Sequence, residues 1–184
     1  MAFIDADEFI YLDEGTTLDS LVARIDEHNW CGLALQWKNY NANGHIKRPA
    51  GSLKENYTTL CFESRNWCKC IVKPLYASYW PSCHYCCPRK DKLYVHTLSG
   101  KVVFSKGSCG DSCYTPAHIK HYFTKSWEDW IERLKRGNFT RGIRTVDLFF
   151  KLNPDLELYK DELTKDLDYS QFPTAGRKND EGAV

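Results

Sequence analysis

The hydrophobic period of this chain changes within one short stretch, and that change restricts the fold more than any other feature. Leu18, Leu21, Val22 and Ile25 recur at helical spacing behind a capping Thr16 or Thr17. Shortly afterwards Cys31, Leu33, Leu35 and Trp37 alternate with their neighbours, which is the period of a half-buried strand. A helix that runs straight into a strand calls for a layered α/β arrangement, because each must bury its apolar side against the other.

The remaining segments extend this pattern. Phe3-Ile4 reads as a buried strand whose end carries Asp5, Asp7 and Glu8. Asn39 to Gly51 is rich in Asn, Gly and Pro and reads as a loop. Cys70-Ile71-Val72 is a short strand stopped by Pro74, and Lys92 to Phe104 is a hairpin turning at Ser99-Gly100. Ser126, with Asp129 three residues on, opens a helix carrying Trp127, Trp130, Ile131 and Leu134 and closed by Gly137. Ile143 to Leu152 is a second amphipathic helix ending before Pro154. The order β-α-β, hairpin, α, α predicts one α/β domain with a mixed sheet and flanking helices over residues 1–153. A polar, flexible tail is expected over 154–184.

Composition narrows the function classes. Lys plus Arg is 25 and Asp plus Glu is 24, so a net charge of +1 gives no long-range pull and no nucleic-acid partner is expected. No apolar run approaches the ~20 residues of a membrane helix, and no signal peptide is visible at the N-terminus, so membrane association is not legible here. Nine cysteines, an odd number, point to reduced thiols and a cytosolic or cytosol-facing setting. Cys83-x-x-Cys86 with Cys87, then Cys109 and Cys113, and nearby Cys68, Cys70 and His84, also admit a zinc-stabilised binding module without catalysis. Scattered core and surface thiols are the simpler account of the same residues.

Two carboxylates mark the candidate site. On an extended backbone Asp5 and Asp7 point the same way, which suits a hard divalent cation that keeps positions open for phosphate oxygens. Such an ion neutralises charge developing on a diphosphate leaving group. A solvated turn after a strand would show the same residues.

Phe3-Ile4-Asp5-Ala6-Asp7-Glu8-Phe9-Ile10 resembles the Asp-x-Asp segment of GT-A-fold glycosyltransferases, and more narrowly of family 92 and related family 2-like enzymes. The order of Leu35-Gln36-Trp37, Asn41-Ala42-Asn43-Gly44-His45, Lys47-Arg48-Pro49, Glu55-Asn56-Tyr57-Thr58, Lys69 to Pro74, His84 and Ile119 to Ser126 is similar to the same family over about residues 1–150. The resemblance implies a GT-A-like nucleotide-diphospho-sugar transferase domain that lacks the N-terminal nucleotide-binding half. It implies transfer of a sugar from a nucleotide-sugar donor to a glycan or other hydroxyl acceptor, with inversion, using Mn2+ or Mg2+. Asp5, Asp7 and His121 would hold the metal, and Asp5, Asp7 and Lys125 the donor diphosphate. Glu55, or else Asp111, would be the catalytic base. Without the resemblance, His121 and Lys125 read as ordinary residues near a helix start. An inactive remnant of such a transferase is the further alternative.

Overall fold

The computed structural model of the protein describes residues 1–61, 67–103, 113–137 and 144–172. The chain divides into two compact units, Met1–Asn39 with Glu63–His121, and Tyr40–Phe62 with Tyr122–Val184. The loop after β2 and the later helices belong to the second of these units.

In the first unit, helix α1 (Leu18–Glu27) starts at Thr17, whose Oγ1 accepts the Ser20 amide at 3.1 Å while Ser20 Oγ accepts the Thr17 amide at 3.2 Å. This reciprocal cap satisfies two amides that the first turn would leave orphaned. Leu21 and Ile25 are buried, whereas Leu18 is exposed because it precedes the turn that meets the sheet.

The strands are β1 (Glu8–Leu12), β2 (Gly32–Asn39), β3 (Cys68–Val72), β4 (Ala77–Ser82), β5 (Tyr85–Pro88), β6 (His96–Thr97) and β7 (Ala117–His121). The main sheet has the order β1-β7-β2-β3, with β6 also pairing β2, and β4 and β5 form a separate two-stranded sheet. β1 with β7 and β2 with β3 run antiparallel, while β2 with β7 and β2 with β6 run parallel, so the sheet is mixed as expected. Gly32 is required where it stands: a Cβ there would lie 2.8 Å from the Ile71 carbonyl oxygen.

Over its first five residues, 32–36, both faces of β2 are buried, which corrects the half-buried reading there. Leu33 and Leu35 pack with Leu21, Ile25, Ile71 and Ile119. On the opposite face Ala34 packs with Cys68, Cys70, Val72, Ala77 and Cys86. Cys31, expected beside Leu33, precedes the strand and lies with this second set. A strand covered on both sides is buried on both, and the alternation is lost in burial although it survives in the sequence.

One more expectation is corrected. Asp5 and Asp7 do not end a strand: the Glu8 amide donates to the Asp5 carbonyl at 3.0 Å, closing a turn that precedes β1. In the segment before Ser126, Ile119 to His121 belong to β7, where Ala117, Ile119 and His121 alternate with His118 and Lys120. The hairpin near Gly100 is present, with Gly100 at φ 84° and Thr97 and Lys101 joined by a 2.8 Å backbone bond, although Phe104 lies outside the described residues.

The second unit holds α2 (Leu53–Asn56), α3 (Trp127–Arg136), α4 (Val146–Leu152) and α5 (Lys160–Thr164). Its core joins Ala42, Trp127, Trp130, Leu134, Phe149, Phe150 and Leu156. α4 begins behind Thr145, which caps it through the Leu148 amide at 3.0 Å; Ile143 lies outside the described residues. The tail expected from 154 is folded through Phe172. Leu156 is buried, and Leu163, Leu167 and Phe172 pack on the same core, so a few apolar anchors hold an otherwise polar stretch.

α3 is capped by the fully buried Ser126, whose Oγ accepts the Asp129 amide at 3.1 Å and donates to Asp129 Oδ2 at 2.7 Å. Asp129 in turn accepts Arg48 Nε at 2.7 Å. Ser126→Ala removes the cap and one arm of this chain of bonds. It is expected to lower stability by about 1–2 kcal/mol, measured by urea denaturation; a loss below ~0.3 kcal/mol would show that the cap is replaceable.

Candidate functional site

The register of the main sheet gathers polar groups at one end of one face. Glu8 on β1 stands opposite His121 on β7, and Asn39 on β2 is its partner on the other side. Two residues further in, the same face is apolar, with Ile10, Ile119 and Trp37 in register and Leu35 beyond. Lys69 on β3 is paired with Leu35 and reaches the same polar end. A face that is core over most of its length thus ends in Glu8, His121, Asn39 and Lys69, with the Trp37 indole between them.

Lys69 binds this cluster together. Its Nζ is 3.1 Å from Asp5 Oδ2, 3.4 Å from Glu8 Oε2 and 3.6 Å from Cys83 Sγ. The Lys69 side chain is 1% exposed and that of Glu8 is 0%, whereas Asp5 is 66% exposed. One carboxylate of the pair is therefore wet and the other dry. Burial pulls the Lys69 ammonium down, but the carboxylates of Glu8 and Asp5 outweigh it and hold the group above its usual range. Burial dominates for Glu8, pushing it up to about 7 despite the Asp5 amide and the Lys69 charge that favour the carboxylate.

The rings form the wall of the cluster. Trp37 lies 4.2 Å from the His121 ring and 5.5 Å from His84, and Trp67 is stacked at 6.1 Å from Trp37. His84 sits at the tip of the β4–β5 hairpin with Nδ1 2.9 Å from the Cys68 carbonyl, and burial holds it below its usual range. His121 is buried, with Nδ1 2.8 Å from Asn39 Oδ1. With an amide oxygen as acceptor, His121 donates its Nδ1 proton to Asn39. Two buried polar atoms here have no hydrogen-bond partner among the described residues, Glu8 Oε1 and Trp37 Nε1. Such atoms cost about 1–3 kcal/mol each and call for an explanation.

Of the residues named from sequence, Asp5 and His121 come to this end of the first unit, and Asp7 lies buried in the turn beside them. Among the described residues no three His, Cys, Asp or Glu side chains form a group that could hold a metal ion. The same holds for the cysteine alternative: Cys86 is turned to Cys31, and Cys109 lies outside the described residues. Glu55 and Lys125 belong to the second unit. Glu55 closes a capping box on α2, where Ser52 Oγ donates to it at 2.8 Å and holds its carboxyl below the usual range. Lys125 has φ 56°, in the left-handed region just before the α3 cap. Asp111 lies outside the described residues.

Sequence reasoning placed Glu8 beside the two aspartates without giving it a role, and missed Lys69 and Asn39. The available signal was a lysine inside a strand bounded by Cys68, Cys70, Ile71 and Val72, where charge is rare unless paired.

The family model for glycosyltransferase family 92 matches residues 1–103, which include the acidic turn, β2, Lys69 and the His84 hairpin. No curated protein matches the chain. The match covers more than half of the sequence and every residue of the polar cluster except His121, and the chain belongs to glycosyltransferase family 92.

Proposed function

We propose that the protein transfers a sugar from a nucleoside-diphosphate donor to a hydroxyl acceptor, on a GT-A-like domain and with inversion at the anomeric carbon. The observation that carries this reading beyond family membership is the convergence of Asp5, Glu8, Lys69, His121 and the Trp37 and Trp67 rings at one end of one sheet face. Acid, base and aromatic groups in one place are what a polyhydroxylated ligand with a charged leaving group needs. The indole faces offer apolar area for a sugar ring or a base. The His121 ring is held in place by its Nδ1 bond to Asn39. A sugar hydroxyl, both donor and acceptor, could satisfy Trp37 Nε1 and Glu8 Oε1 in turn. Lys69 fixes the turn and limits its net charge, so that a donor diphosphate meets less repulsion.

The resemblance gives Asp5, Asp7 and His121 to manganese or magnesium. As they stand, the described residues do not fit such a centre, since they form no three-ligand group and Asp5 is already paired with Lys69. No step here runs through a metal. Titration calorimetry with manganese, comparing the wild type with Asp5→Ala/Asp7→Ala, decides whether the turn binds one. Glu55 remains the proposed base and Asp111 the second candidate, with Glu55→Gln as the direct comparison.

The reading is tested by nucleoside-diphosphate release from a panel of nucleotide sugars with acceptor hydroxyls present. Asp5→Asn/Asp7→Asn is expected to lower the rate about 100-fold, the usual scale for losing one electrostatic element of a transfer site. An unchanged rate in a folded double variant would remove the acidic turn from the reaction.

A further inference from the structure

Cys31 and Cys86 are set as a pair in the core of the first unit. Their sulfur atoms are 3.4 Å apart, both residues are 0% exposed, and Cys31 Sγ also lies 3.9 Å from the Cys86 carbonyl oxygen. Cys31 immediately precedes β2 in the main sheet, and Cys86 lies in β5 of the two-stranded sheet. Sulfurs in near contact need only a small shift to bond, and the two strands already share one core with Ala34, Cys68, Cys70 and Val72. The pairing is specific, because Cys70 is engaged elsewhere, donating to the His84 carbonyl, and Cys83 faces Lys69.

We propose that Cys31 and Cys86 are a disulfide-forming pair, a covalent modification site that locks the β4–β5 hairpin to the main sheet. The hairpin carries Cys83 and His84, which touch Lys69, Trp37 and Trp67, so the bond would fix one wall of the polar cluster to the sheet that bears the rest. The inference does not depend on the transfer reaction. The oxidant is a small-molecule disulfide of the glutathione class. One protein thiolate attacks a sulfur of glutathione disulfide and expels one glutathione thiolate. The second protein sulfur, giving up its proton, then displaces the other glutathione from the mixed disulfide. One S–S bond is broken and one is made; the two protein thiols are oxidised, and the two hydrogens they lose leave on the two glutathione thiols. The hydrogen bond to Cys86 and burial keep Cys31 as a thiol far above its usual range, so exchange proceeds when the core opens and is slow in the closed fold.

The test uses the full chain, incubated in glutathione buffers of increasing oxidised fraction, with and without sub-denaturing urea to open the buried pair. Free thiols are then alkylated in denaturant and linked peptides are mapped without reduction. Tryptic peptide 25–38 carries Cys31 alone, whereas 70–89 carries Cys70, Cys83, Cys86 and Cys87, so fragmentation must separate these four. The expected result is a species lighter by two hydrogens, with two fewer alkylatable thiols and Cys31 linked to Cys86, formed faster in urea and reversed by a dithiol. In Cys86→Ala, Cys31 should stay alkylatable. Cys31 remaining a free thiol in the wild type with and without urea, or linking to Cys68, Cys70, Cys83 or Cys87, would overturn the proposal.

Discussion

Glu8→Gln should stabilise the protein by about 2–3 kcal/mol at pH 8 and change it by less than ~0.5 kcal/mol near pH 4.5. The sign follows from the direction of the Glu8 shift. Burial raises the folded-state value from 4.5 to about 7, so the folded protein holds a proton that the unfolded chain has released. Stability from that proton is complete below about 4.5 and is lost as pH rises through about 7. Over that window the wild type should lose up to about 1.4 kcal/mol per pH unit, and the glutamine variant, neutral throughout, should not. The Lys69 ion pair at 3.4 Å does not reverse the sign, because the desolvation of a side chain with 0% exposure exceeds what one shared ammonium returns. His84 and His118 act oppositely. Burial lowers both, so their contributions are present above 6.5 and lost as pH falls through their depressed values, in both proteins. The difference between wild type and variant, from urea denaturation at several pH values, therefore isolates Glu8. A variant no more stable than the wild type at pH 8 would mean that Lys69 compensates the carboxylate fully. A glutamate retained against a more stable alternative fits a group kept for the site rather than for the fold.

The largest loss is expected in the second unit. Trp130 is fully buried between Phe123 and Phe149, with ring centroids at 5.6 and 5.7 Å, and its Nε1 donates to the Thr145 carbonyl at 3.1 Å. Thr145 is the cap of α4, so one indole both fills the core of α3 and ties it to the start of the next helix. Trp130→Ala empties that volume and leaves the carbonyl without its donor, at a cost of about 4–6 kcal/mol. That is comparable with the whole stability of many domains. Trp130→Phe keeps most of the volume and loses the donor, and should cost about 1–2 kcal/mol. Chemical denaturation of both variants separates packing from the hydrogen bond. Equal losses would show that the hydrogen bond, and not the filled volume, is what the core depends on.

What could be read from the sequence was local. α1 and α3 were legible because Thr17 and Ser126 cap them within one turn, and Gly137 closes α3 at φ 81°. The acidic segment was legible as chemistry but misplaced as structure. Whether Asp5 and Asp7 lie on a strand depends on where β1 meets β7, a pairing across more than a hundred residues that no local pattern encodes. β7 itself is a run of five residues, and its alternation was absorbed into the approach to α3. Lys69 was passed over for the same reason. Its partners are 61 and 64 positions away at Glu8 and Asp5, and only the fold makes a lysine in a buried strand a paired charge. The anchors Leu156, Leu163, Leu167 and Phe172 were hidden by the acidic and basic residues between them. The family resemblance was carried by the acidic turn and the segments that follow it, and the matched residues 1–103 contain Lys69 and His84 as well.

We propose that the polar end of the main sheet receives a nucleotide sugar. Saturation-transfer NMR tests it most directly, using the full chain and a panel of nucleoside-diphosphate sugars, each with and without manganese, against the wild type and Asp5→Asn/Asp7→Asn. A signal from at least one nucleotide sugar is expected, with binding at least about tenfold weaker in the double variant, the equivalent of about 1.4 kcal/mol. A folded wild type that binds no nucleotide sugar, or a double variant that binds one equally well, would contradict it.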